Sequence, residues 1–270
     1  MLRQRVITAM VLVVGVLALL FFGNTTLWRY ALALVSGLAA WEWARLSGLT
    51  QPLHSWGYAL AVALFVWWGL VVDVQAQLPL WLVLVWGGVV PFVLYHFART
   101  EGAWRLGRAP LLMLGLVVLF PFAWALFHLL VRFGPGVTLW LMALVWLADS
   151  GAYFSGRAFG RHKLAPRISP GKTWEGVAGG ALLALAGAYG GVLLLEQHGV
   201  EAALPVALWL GMVAAFSVVG DLFESALKRW RGVKDSSQLL PGHGGVLDRI
   251  DSLLFALPLM WLALTWRPLA

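Results

Sequence analysis

The chain is 270 residues long, 61% hydrophobic and 11% charged, with a mean hydropathy of +0.84. Soluble domains run at roughly 45–50% apolar and about 25% charged, so this composition excludes a soluble globular protein and describes an integral membrane one. A net charge of +7 would suggest a nucleic-acid partner in a soluble chain, but here the charges sit between apolar runs and report membrane sidedness, and no nucleic acid is expected.

Apolar runs suited to a hydrocarbon core of about 30 Å fall at 6–22, 27–46, 56–72, 78–97, 110–131, 137–149, 175–195, 204–220 and 252–266, nine in all, the sixth and ninth short. The expected fold is therefore all-α and polytopic, one membrane-embedded domain over 1–270, with 1–135 mainly membrane-spanning. The first run follows Arg3 and Arg5, but no small-x-small cleavage site follows "LLFFGNTT", so it reads as an uncleaved first helix. The amino-terminal half is rich in tryptophan, as in "WEWARL" and "FVWWGL", a pattern of interfacial belts and helix packing, and no chemistry is assigned to it. His54, His96, His128, His162 and His198 form no ligand spacing. With no cysteine, any metal must be held by oxygen or imidazole.

With the amino terminus inside, nine crossings put sixteen of the nineteen Lys and Arg on inner segments and leave Arg29, Arg132 and Arg267 outside. A basic inner face suits anionic headgroups and phosphates, although positive-inside bias alone explains much of the charge. The outer connections are short. Two inner ones are long, 150–174 and 221–251, and make 136–270 the expected catalytic half. Between them, Gly176 and Gly180, then Gly187 and Gly191, have the four-residue spacing that lets helix backbones approach closely, either within the chain or in a homodimer.

In the second connection, "GDLFESALKRWRGVKD" sets Asp221, Glu224, Ser225 and Lys228 on one face of a helix. A solvated helix shows the same spacing, but Asp221 directly follows the apolar "GMVAAFSVVG", at the membrane boundary where an unpartnered charge is costly. Asp248 and Asp251 lie one turn apart as "LDRIDS" enters the last run. Helix capping explains either one, but not both together with Asp221, Glu224 and Asp149. Carboxylates drawn together repel unless a cation lies between them, and a hard ion such as Mg²⁺ takes oxygen ligands and substrate phosphates. These five carboxylates are the candidate metal ligands. The intervening "PGHGG" is either a loop that approaches a ligand closely or a plain tight turn.

The first connection contains "GRAFGRHKLAPRISPGKTWEG". Its "GKT" is not a P-loop, since Pro166 stands where the required glycine would be. Ser169 is expected as an N-cap with Pro170 the first helical residue, which leaves Lys172 at a helix start able to meet an anion. Lys172, Lys228, Arg229 and Lys234 would neutralise a triphosphate, or bind lipid headgroups more generally.

"SALKRWRGVKDSSQLLPGHGGVLDRID", from Ser225 to Asp251, resembles the signature of the phosphatidate cytidylyltransferases (CDP-diacylglycerol synthases) at its Ser, Lys-Arg, Lys-Asp, Pro, His-Gly-Gly, Asp-Arg and Asp positions. "DSGAYFSGRAFGRHKLAPRISPGKTWEG" and "GDLFES" are similar to the family too, with Ser150 where Thr is common. The first hundred residues match only in spanning the membrane several times. The resemblance implies Mg²⁺-dependent transfer of cytidylyl from CTP to phosphatidic acid, giving CDP-diacylglycerol and pyrophosphate, at the cytoplasmic side of a bacterial inner membrane. CTP, phosphatidic acid and membrane lipids are the implied partners. It also implies Asp221 and Asp248 as metal ligands, Asp251 and Ser225 near a second cation, and Lys228 among the catalytic residues. Ser169, Lys172, Thr173, Arg229, Lys234, His243 and Arg249, with Ser225, are the implied nucleotide or phosphate contacts. The rival readings are a CTP-dependent lipid kinase, which would attack the γ-phosphorus, and an ion transporter. Against the transporter, no acidic residue lies in the middle of any run.

Overall fold

A backbone inside lipid must satisfy its own polar groups, which leaves helices as the natural form for these runs. In the computed structural model, which describes residues 2–72, 88–99, 107–195 and 200–265, the chain folds as α1 (Leu2–Phe22), α2 (Thr25–Leu46), α3 (Pro52–Val72), α4 (Val90–Arg99) and α5 (Arg108–Phe159). Then follow β1 (Lys163–Ala165), β2 (Ser169–Thr173), α6 (Trp174–Leu195), α7 (Val200–Phe216), α8 (Val218–Trp230) and α9 (Leu247–Thr265). The expected all-α membrane fold is observed, with one short antiparallel hairpin added. Among the described residues, five helical stretches are long and apolar enough to cross a membrane by length and composition. The first half of the expected run 78–97, residues 78–87, lies outside the described residues.

The fifth and sixth expected runs are the two arms of α5. A helix of 52 residues would be about 78 Å long, far more than one crossing needs, and it is broken where Gly134 takes φ 80°, just before Pro135. The second arm continues ten residues beyond the expected end at 149, so Ser150 to Phe159 is helix rather than loop. It continues because its small residues are packed against α6. A side chain at Gly151 would meet the Gly179 carbonyl at 2.9 Å, and one at Gly176 would meet the Ala152 carbonyl at 2.7 Å. Gly187 and Gly191 face Leu147 and Trp140 in the same seam, and Trp140 Nε1 donates to the Gly187 carbonyl at 3.2 Å. The four-residue glycine spacing is thus an internal contact between α5 and α6.

The amino-terminal helices are tied to the other arm of α5. Trp43 Nε1 donates to the Leu111 carbonyl at 2.7 Å and the Tyr58 hydroxyl to the Leu112 carbonyl at 2.6 Å, each satisfying a polar atom on an otherwise apolar ring. The expected inner connections gather at one end of the bundle. There the Arg231 side chain donates to the Arg45 carbonyl, Arg229 to the Ile168 carbonyl, and Thr8 to the Pro241 carbonyl. Arg29, expected outside, lies at a separate place, where Nε donates to the Leu70 carbonyl and the guanidinium covers Phe127.

Candidate active site

The site begins where α7 gives way to α8. The chain turns at Ser217, and Gly220 packs so closely on the Asp251 carbonyl that no side chain fits there. That contact sets the first acidic residue of α8 beside the first turn of α9. The expected face of α8 is present: Ser225 Oγ donates to Asp221 Oδ1 at 3.1 Å, and Lys228 Nζ donates to Glu224 Oε2 at 2.9 Å. Lys228 also reaches Asp248 Oδ1 at 2.6 Å, joining α8 to α9 across the connection between them.

That connection, residues 231–246, folds on itself. Gly242 and Gly244 take φ of 77° and 82°, values open to glycine at little cost. Leu240 N–H donates to the Gly244 carbonyl at 2.8 Å to close the turn. Gly242 lies against Arg5, and Gly245 against Ser236 and Glu42. The glycines of "PGHGG" thus form a tight turn packed on protein. Asp248 Oδ2 then accepts from Ser236 N–H at 3.0 Å and Gly245 N–H at 2.8 Å, and Ser236 Oγ lies 2.9 Å away, its one proton shared between Asp248 and Glu42. Asp248 stands on the polar first turn of α9, ahead of its apolar run. Burial pushes its carboxyl up, but Lys228 and the N–H groups of Gly245 and Ser236 outweigh burial and hold it at about 2.

The first connection supplies the opposite wall, with one correction. Ser169 is not an N-cap and Pro170 does not start a helix: Ser169–Thr173 is strand β2, paired with β1 through Lys163 and Thr173 and through Ala165 and Ser169. Proline is tolerated in such an edge strand, where no ladder hydrogen bond is asked of it. Thr173 does the capping, its Oγ1 accepting from Gly176 N–H at 3.1 Å. Lys172 therefore projects from the strand just before α6 begins, and its Nζ lies 2.5 Å from Asp221 Oδ2.

These walls enclose a cavity of about 630 Å³, within the range of small-molecule sites. Of the expected residues, Asp149, Ser169, Lys172, Thr173, Asp221, Lys228, Asp248, Arg249 and Asp251 line it. Glu224 is buried behind Lys228 at 2% exposure, and Ser225 is turned onto Asp221. Arg229 Nε donates to the Ile168 carbonyl at 3.2 Å and the residue does not line the cavity, Lys234 lines a neighbouring groove with Arg45, and His243 is on neither wall. Two lining residues were not singled out for chemistry from the sequence. Tyr153 and Arg157 follow Asp149 at i+4 and i+8 on α5, and Arg157 donates to the Tyr153 hydroxyl at 3.3 Å. A third residue missed is Glu42, buried in α2 and bonded to the 231–246 connection.

The donor set suits a hard cation. It is all oxygen, and Glu224 Oε1 is buried without a hydrogen-bond donor among the described residues, close to Asp251 and Asp248. As arranged, however, Asp221 and Asp248 are each neutralised by an ammonium group, Lys172 and Lys228. Among the described residues no three acidic or imidazole groups already converge as a metal cage.

A family model described as "Cytidylyltransferase family" matches residues 3–266. The chain belongs to that family. Among its curated relatives, a phosphatidate cytidylyltransferase of Pseudomonas aeruginosa is 44% identical over 268 residues, 98% of this chain and 97% of the relative. One of Haemophilus influenzae is 39% identical over 281 residues, with 96% of each chain covered. One of Bacillus subtilis is 43% identical over 138 residues, about half of each chain. The family match thus includes the first hundred residues, where the sequence reading found only membrane spans.

Proposed function

We propose that the protein is a CTP:phosphatidate cytidylyltransferase, which joins phosphatidic acid to the cytidylyl group of CTP and releases pyrophosphate, supplying CDP-diacylglycerol for phospholipid synthesis. The observation that carries the reading is a charged cavity at the end of the bundle where the basic connections gather, walled by Lys172 with Asp221 on one side and Lys228 with Asp248 on the other. Relatives of that name match along nearly the whole chain.

In the reaction, an oxygen of the phosphatidate phosphate bonds to the α-phosphorus of CTP while the bond from that phosphorus to the bridging oxygen breaks. The pair of electrons leaves with pyrophosphate. The attacking phosphate is already ionised, so no protein base is required, and Ser225, held on Asp221, is not needed as a nucleophile. Lys172, Arg157 and Arg249 are the cavity cations suited to hold phosphate oxygens in line and to meet charge on the leaving group. Asp221 and Asp248 would hold Mg²⁺, with Asp149, Glu224 and Asp251 as the remaining candidate ligands; bound there, Mg²⁺ would supply positive charge to the departing pyrophosphate. The basic bias of the inner connections supports a cytoplasmic active site in the bacterial inner membrane.

Purified protein given phosphatidic acid and Mg²⁺ with either α-labelled or γ-labelled CTP tests the reading. Lipid-borne label from the α position, with release of pyrophosphate, is the expected result. Lipid-borne label from the γ position, with release of CDP, would make the protein a lipid kinase.

A further inference from the structure

Glu42 lies about one turn from the carboxyl end of α2, with 0% exposure. Both its oxygens are filled from one distant segment. Oε1 accepts from Ser237 Oγ at 2.6 Å and Val246 N–H at 2.9 Å; Oε2 accepts from Leu247 N–H at 2.7 Å and lies 3.0 Å from Ser236 Oγ, whose single proton it shares with Asp248. Ser236 and Ser237 stand near the start of the 231–246 connection, and Val246 and Leu247 stand where it enters α9. One side chain therefore ties both ends of that connection to α2. Ser236 continues the chain of contacts, since its N–H and Oγ both reach Asp248 Oδ2, and Asp248 Oδ1 meets Lys228.

A buried carboxylate is costly unless hydrogen bonds satisfy it. Val246 N–H and the Ser237 hydroxyl on one oxygen, and Leu247 N–H with a share of the Ser236 proton on the other, call for a group that accepts on both sides. Glutamine has the same shape but offers one oxygen, and its amide would set N–H against N–H. No side chain fits at Gly245, which packs directly against Ser236 and Glu42.

We propose that Glu42 is a positioning residue for the transfer reaction: by holding both ends of the 231–246 connection, it fixes Asp248 against Lys228 at the cavity wall. The proposal rests on Asp248 taking part in the reaction. Lys172 and Arg157 come from other elements, so displacing Asp248 affects turnover more than nucleotide binding.

The test compares wild type, Glu42→Gln, Glu42→Asp, Ser237→Ala and Asp248→Asn, purified in one detergent, for kcat, KM for CTP and melting temperature. Each is also made with Leu239→Cys, the sole cysteine in the chain, whose rate of reaction with a maleimide reports exposure of the connection. Glu42→Gln is expected to lower kcat by about 100-fold or more, to change KM by less than about threefold, and to raise the labelling rate. Glu42→Asp, which keeps two acceptor oxygens, should recover part of kcat. Ser237→Ala, which removes one of these donors, should lower kcat by about three- to tenfold with a small fall in melting temperature. A folded Glu42→Gln protein with kcat within about threefold of wild type overturns the proposal, as does a raised KM at unchanged kcat. If Glu42→Gln does not fold, wild-type kcat and labelling in Ser237→Ala overturn it. Near wild-type turnover in Asp248→Asn removes the site assignment and the proposal with it, whereas an inactive Asp248→Asn beside an active Glu42→Gln removes the proposal alone.

Discussion

Lys172 at the end of β2 and Asp221 at the start of α8 form an ion pair, Nζ to Oδ2 at 2.5 Å, at 22% and 30% side-chain exposure. They come from the two inner connections, with α6 and α7 between them, so the pair exists only when those helices are packed. Asp149 faces the same lysine. Lys172→Ala would leave two carboxylates facing each other and remove a cation from the phosphate path. The expected result is a fall in kcat/KM of about 30- to 1,000-fold, with part of the loss restored in Lys172→Arg; steady-state kinetics in detergent measure it.

The seam that positions this pair gives a stability prediction. A side chain at Gly180 would meet the Ala148 carbonyl at 2.5 Å and Ala152 Cβ at 3.2 Å, whereas nothing lies within 4 Å of one at Gly190. Gly180→Ala should force α5 and α6 apart at a cost of about 1–3 kcal/mol, seen as a lower melting temperature. Activity should fall with it, since Asp149 is the next residue after Ala148. Gly190→Ala, on the same helix, should melt no lower than wild type.

Most of the helical frame was legible because lipid leaves apolar runs few alternatives, and the acidic stripe of α8 because its spacing is local. The hairpin was not, since "ISPGKT" reads as well as a helix start, and only pairing with Lys163 and Ala165 makes it a strand. Arg157 was read as a sidedness charge because the helix was ended at 149; with ten more helical residues, it falls on the face of Asp149 and Tyr153. Glu42 did carry a signal, a lone carboxylate in an apolar run, but the tryptophans on either side of it drew the reading toward packing. Its partners lie about 200 positions away in sequence, and no local pattern names them.

Sidedness is testable because the chain has no cysteine. Arg161 and Gln238 are exposed, on the first and second connections, while Ser236 and Ser237 are buried. Arg161→Cys and Gln238→Cys should resist an impermeant maleimide in intact cells and react once the membrane is opened. Ready labelling of either in intact cells would place the cavity on the other side.

The two carboxylates assigned to Mg²⁺ line one cavity only through the fold, Asp221 from α8 and Asp248 from α9, each held by its own lysine. The direct test is turnover of α-labelled CTP with phosphatidic acid by wild type, Asp221→Asn and Asp248→Asn, with chelator and with Mg²⁺ restored. Wild-type activity should vanish with chelator and return with Mg²⁺. Both Asn variants should insert and fold yet turn over at least about a thousandfold more slowly, with little rescue by excess Mg²⁺. Near wild-type turnover in both variants would contradict the site described here.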